Sequence, residues 1–115
     1  MTKSTEKKQI KQGEIWVANV NFFASSGSKK RPVLALSLDV VGDDDIVILP
    51  ISSSDARTDF DVKITVEKGT GLAIFPSYIR TSKPLTTTKR ALTQKIGKLD
   101  EVDLANVLEK FRSQF

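Results

Sequence analysis

Every apolar run in this sequence is short, and each is closed off by glycine, proline or a cluster of polar residues. A chain divided in this way has to bury its hydrophobic surface through short strands, which need only about five or six residues each. Glu14 to Val20 is rich in β-branched and aromatic residues after Gly13, and it predicts a first strand. Residues 32–38 and Ile46 to Ile51 are nearly continuous apolar runs, as expected of strands buried on both faces. Pro50 cannot donate a ladder hydrogen bond, so it predicts the exit or an edge of its strand. Asp61 to Val66 alternates strictly, which predicts a strand with one wet face. A further strand falls within Leu72 to Thr81, broken near Pro76. Lys83 to Thr88 reads as a threonine-rich loop, and Leu92 to Leu99 as a short strand or turn.

The C-terminal segment follows a different period. Leu104, Val107, Leu108, Phe111 and Phe115 form one helical stripe. Asp100 is placed to cap it, acidic residues occupy its first turn, and Lys110 and Arg112 occupy its last. Several short strands and one terminal helix predict a mainly β fold, a small SH3-like barrel closed on one side by the helix. The expected organisation is a flexible basic arm over residues 1–12 and a single domain over 13–115. Phe22 and Phe23, in the loop from Asn21 to Lys30, are expected to tuck back onto the domain.

Two absences narrow the chemistry. The 115 residues include no cysteine, which removes thiolate nucleophiles, cysteine-bound zinc and disulfides. They include no histidine either, so the commonest general base and transition-metal ligand are both missing. Catalysis would have to run on Arg, Lys, Asp, Glu, Ser, Thr, the single Tyr78 or a bound cofactor. No run is long enough to span a membrane, and the first twelve residues lack the apolar segment of a secretory signal, so the expected location is the cytoplasm and no membrane partner is expected.

The net charge of +4 is unevenly placed. Residues 1–12 hold four lysines against Glu6, whereas residues 80–98 hold six cations and no carboxylate. Local polarity of this kind suits a groove for an anionic polymer, although a patterned solvated surface has the same composition. The sharpest cluster is Lys29-Lys30-Arg31 on a Gly/Ser-rich turn, where Pro32 locks the backbone as the next apolar run begins. Three adjacent cations at the lip of a buried strand form either a platform aimed at an anion or a solvated loop that keeps the strand soluble.

Phosphoryl transfer tolerates these constraints best. Its transition state spreads negative charge over oxygens that fixed cations can stabilise, and the arginine fork matches phosphate geometry. With RNA as substrate, the 2′-hydroxyl can be the nucleophile, so neither metal nor protein nucleophile is needed.

Gly13-Glu14-Ile15-Trp16, then Gly27 to Ser37 with its Arg31-Pro32 step, resemble the opening of the PemK/MazF toxin family. Leu49-Pro50-Ile51-Ser52-Ser53, Gly71-Leu72, Tyr78-Ile79-Arg80-Thr81 and Lys95 to Leu99 before a terminal helix resemble its later blocks, in order. The resemblance covers residues 13–111. It implies a PemK/MazF/CcdB-like barrel and the toxin of a type II toxin–antitoxin system. The implied activity is a metal-independent, cofactor-free endoribonuclease that cuts single-stranded RNA to 2′,3′-cyclic phosphate and 5′-hydroxyl ends. A cognate antitoxin and a homodimer are implied as partners. Carried over, Arg31 is the catalytic arginine and Ser52 takes the place of the catalytic threonine or serine. Lys29, Lys30, Ser53 and Arg80 are candidate substrate contacts. Two departures stand out: Lys29 where many members have Glu, and Thr88-Lys89 where an Asp often precedes a basic residue. The general base has no clear candidate among Asp55, Asp59 and Asp61. Two alternatives share the barrel, a catalytically silent relative that binds nucleic acid or antitoxin, and a gyrase-poisoning toxin.

Overall fold

A computed structural model describes residues 9–20, 29–52, 56–64 and 77–115. Seven antiparallel strands, β1 (Glu14–Val20), β2 (Lys29–Ala35), β3 (Asp45–Ser52), β4 (Asp61–Ile64), β5 (Ser77–Arg80), β6 (Leu85–Thr88) and β7 (Leu92–Lys98), precede one helix, α1 (Glu101–Arg112). The strand order is β4-β5-β3-β2-β1-β7, with β6 also paired to β3. Strands β4 and β7 stand at opposite ends of this order, so the sheet is open, and "barrel" describes the family resemblance more than the hydrogen bonding. The mainly β architecture with a terminal helix is as the strand and helix periods predict.

Alternation along each strand sorts the side chains onto two faces. One face carries Ile15, Leu34, Leu49, Ile51, Ile64 and Ile79, packed with Leu99 and with Val107, Leu104, Leu108 and Phe111 of α1. The other carries Trp16, Ala18, Val33, Ala35, Ile46 and Ile48, joined by Leu92 and Ile10. Both faces of the central strands are therefore buried, which is why β2 and β3 read as continuous apolar runs. Asp100 caps α1 by accepting a 2.7 Å hydrogen bond from the Asp103 N–H. Phe115 departs from the expected stripe: it is 88% exposed and lies edge-on to the Phe111 ring, at 5.2 Å between centroids.

Other expectations need correction. Strand β2 starts at Lys29, so the three cations lie in a strand and not on a turn. Residues 36 and 37 leave the ladder because both of their N–H groups donate to the Val47 carbonyl. Of the two expectations for Pro50, the exit fails, since β3 runs on to Ser52, and the edge holds. Val47 turns both its N–H and its C=O toward β2, so alternation turns the Pro50 nitrogen toward the opposite edge. On that edge the partner changes from β6, at residues 45–48, to β5, at residues 51–52. The missing donor falls in the gap. Leu85–Thr88 is a strand, not a loop, because its β-branched threonines pair with Asp45 to Ile48. Finally, the core reaches into the expected arm: Ile10 is 1% exposed, and its N–H donates to Asp39 at 3.1 Å. The expected positions of Phe22, Phe23 and Val66 lie outside the described residues.

Candidate functional site

The arrangement around Arg31 follows from strand register. Val33 pairs with Pro50, Leu34 with Leu49 and Ala35 with Ile48. The paired residues end at Val33 and Pro50, and the same register continued two residues further would bring Arg31 level with Ser52. Ser52 in turn pairs with Tyr78, and Tyr78 with Lys63 on β4. Residues directly opposite one another share a face, with Cβ atoms about 4.5–5.5 Å apart. Arg31, Ser52, Tyr78 and Lys63 thus form a transverse row across β2, β3, β5 and β4, on the face away from α1. The row begins where the apolar cluster of that face gives out. Arg31 and Lys63 are exposed, while Ser52 and Tyr78 are half-buried. Lys30, also exposed, pairs with Asn19 of β1 and alternates to the opposite face from Arg31.

The remaining candidates fall differently. Lys29 pairs with Val20 at the start of β2. Ser53 and Asp55 lie outside the described residues. Arg80 is on the same face as Tyr78 but buried, 7% exposed, and its guanidinium is ion-paired with Asp61, directly opposite on β4. The Asp61 carboxylate also accepts the Arg57 N–H at 2.7 Å. It is therefore committed to holding the β4 edge, and of the three aspartates considered as bases, Asp59 alone is exposed among the described residues.

The cationic stretch 80–98 is less positive in space than in sequence. Lys89 is ion-paired with Asp39 and donates to the Val40 carbonyl at 2.9 Å. Lys95 reaches Glu14 at 2.9 Å. With Arg80, half of the six cations are matched by carboxylates from distant parts of the chain, which composition along the sequence cannot show. Glu14 is the most committed of these carboxylates. One of its oxygens accepts the Lys11 N–H at 2.8 Å and the Trp16 indole N–H at 3.0 Å, while the other faces Lys95. Burial pushes its carboxyl up, but these donors outweigh burial and leave it below its ordinary 4.5. Asp39 is likewise lowered, chiefly by the Lys89 hydrogen bond, against a smaller opposing effect of burial. Trp16 is thereby fixed as a packing residue, 6% exposed.

Sequence reasoning missed Tyr78 and Lys63 as members of the row. Their signal is the pairing of β5 with both β3 and β4, which joins segments with no shared local pattern.

Taken together, the fold is an open antiparallel sheet with a helix on one face and a polar, partly cationic row on the other. That defines a small β domain with one helix-covered face and one open polar face. Residues 11–115 match the family of PemK-like, MazF-like toxins of type II toxin–antitoxin systems, and the chain belongs to that family. Solved structures agree on the fold. Toxin MazF-mt6 of Mycobacterium tuberculosis is 24% identical, with a TM-score of 0.70 over 87% of this chain and 93% of that one. MazF of Deinococcus radiodurans is 18% identical, with a TM-score of 0.74 over 94% and 97%. A mycobacterial endoribonuclease in complex with its cognate antitoxin is 11% identical, with a TM-score of 0.72 over 90% and 91%. No curated protein sequence matches the chain. Among the described residues no helix is long and apolar enough to cross a membrane.

Proposed function

We propose that this toxin is a metal-independent endoribonuclease that cuts single-stranded RNA through the substrate's own 2′-hydroxyl. The observation that carries the reading is the Arg31–Ser52 juxtaposition on an open face, within a chain of this family. The 2′-oxygen attacks the adjacent phosphorus as its proton passes to solvent, the P–O5′ bond breaks and the 5′-oxygen takes a proton from solvent, leaving a 2′,3′-cyclic phosphate and a 5′-hydroxyl. Arg31 supplies the planar fork that stabilises charge on the non-bridging oxygens. Ser52 hydrogen-bonds the same phosphate from the neighbouring strand, with Ser53 the next residue along the chain. Lys29 supplies charge for a flanking phosphate, whereas Lys30 alternates to the opposite face of β2 and Arg80 is neutralised by Asp61 at the β4 edge.

The proposed partners are a cognate antitoxin and a second copy of the chain. Leu38, Val40 and Val41 support this, being 69%, 55% and 96% exposed on the connection between β2 and β3. Apolar side chains grouped on a surface in this way favour a protein partner.

The test is incubation of purified protein with single-stranded RNA in excess chelator, beside Arg31→Ala. Discrete cuts that disappear in the variant support the reading. Retained binding with intact RNA indicates a silent nucleic-acid-binding relative, and neither cutting nor binding turns the search to a protein target.

A further inference from the structure

The row does not stop at Ser52. Tyr78 is the next side chain across the sheet and Lys63 the one after it, on the same face as Arg31. With strands about 4.8 Å apart, Tyr78 stands about 5 Å and Lys63 about 10 Å from Ser52. An exposed cation at each end, with a half-buried aromatic ring between, is the pattern of a single-strand binding track: cations follow the backbone and a ring receives a base. Other described aromatics are unsuited to that task. Trp16 is buried and its indole N–H is taken by Glu14. Phe111 and Phe115 belong to the helix side of the molecule, and Phe60 lies in the turn before β4.

Building on the ribonuclease reading, we infer that Tyr78 is the stacking platform for a nucleobase next to the scissile phosphate, and that Lys63 holds a phosphate further along the same RNA strand. Tyr78 acts through its ring face, so its hydroxyl is dispensable. Lys63 acts as a point charge. The two residues set how the strand lies across the sheet, while Arg31 and Ser52 do the chemistry.

The probe is an oligonucleotide that the wild-type protein cuts, carrying one 2′-deoxy substitution at the cut nucleotide so that it binds without reacting. Tyr78→Phe should bind it as the wild type does, whereas Tyr78→Leu, which keeps an apolar side chain but no ring, should lose roughly 5- to 150-fold in affinity. Lys63→Gln should flatten the slope of log affinity against log salt by about 0.7, one phosphate contact on a single strand, and Tyr78→Leu should leave that slope unchanged. Lys63 is exposed, so its variant decides the matter even if Tyr78→Leu does not fold. Wild-type affinity in Tyr78→Leu, or an unchanged salt slope in Lys63→Gln, would overturn the inference while leaving the ribonuclease reading intact, provided that Arg31→Ala still abolishes cutting. If the wild-type protein cuts no RNA, both fall together.

Discussion

Arg31 is exposed while its backbone is paired with Ala18 in the middle of the sheet, so replacing it with another long cation leaves the strand pairing in place. Arg31→Lys keeps the charge but loses the planar fork. Cleavage should fall by roughly 10²- to 10³-fold, as for loss of one preorganised donor, with the melting temperature unchanged. Rates and thermal unfolding measured side by side check this, and a fall in both would make Arg31 structural. Glu14 should behave in the opposite way. Its carboxyl is held below 4.5, so its contribution to stability is complete above that value and is lost as the pH falls through the lowered one. Glu14→Gln should lose about 1–2 kcal/mol near neutrality, while the difference from wild type should shrink in acid. Denaturant unfolding at several pH values measures it. Of these residues, Arg31 was legible from the cation cluster before Pro32. Ser52 came only through the family pattern, since a serine after a strand is ordinarily turn chemistry. Tyr78 and Lys63 were not legible, because their position depends on pairing between segments far apart in sequence.

Local pattern was most informative where an element is stabilised locally. Helix α1 begins at its predicted cap because Asp100 satisfies the Asp103 N–H, and β1 has its predicted limits. Strand β6 has a loop-like sequence because its four residues bury little of their own surface and depend on β3 for order. The same reason shifted β2: its first residues are cationic, and β1 holds them in the ladder through Val20, Asn19 and Ala18. Gly13 links two elements directly. Its N–H donates to the Ala35 carbonyl at 2.8 Å, and its carbonyl accepts from Leu99 at 2.9 Å. Its φ is +92°, and a Cβ there would meet Leu104 Cδ2 at 2.8 Å. Gly13→Ala should therefore cost about 1–3 kcal/mol of stability. A thermal melt of the variant checks this, and wild-type stability would show that the glycine serves neither purpose.

At the scale of the whole molecule, the two faces of the sheet have divided the work. Helix α1 closes one, and the apolar cluster of the other ends at the polar row. Paired charges then fix the edges, Arg80 on Asp61, Lys89 on Asp39 and Lys95 on Glu14, while Arg31 and Lys63 are exposed on the face away from α1. The cations clustered in sequence over 80–98 are therefore divided in space, three of them matched by carboxylates, and the exposed cations of the row come from β2 and β4. The central claim is that this face cleaves RNA with the substrate's own 2′-hydroxyl. End-group analysis tests it most directly, using a single RNA carrying either a 2′-hydroxyl or a 2′-deoxy position at the mapped cut. The account predicts a 2′,3′-cyclic phosphate and a 5′-hydroxyl on the first substrate, and no cut at that position on the second. Cleavage of the 2′-deoxy substrate, or a 5′-phosphate on the product, would contradict it.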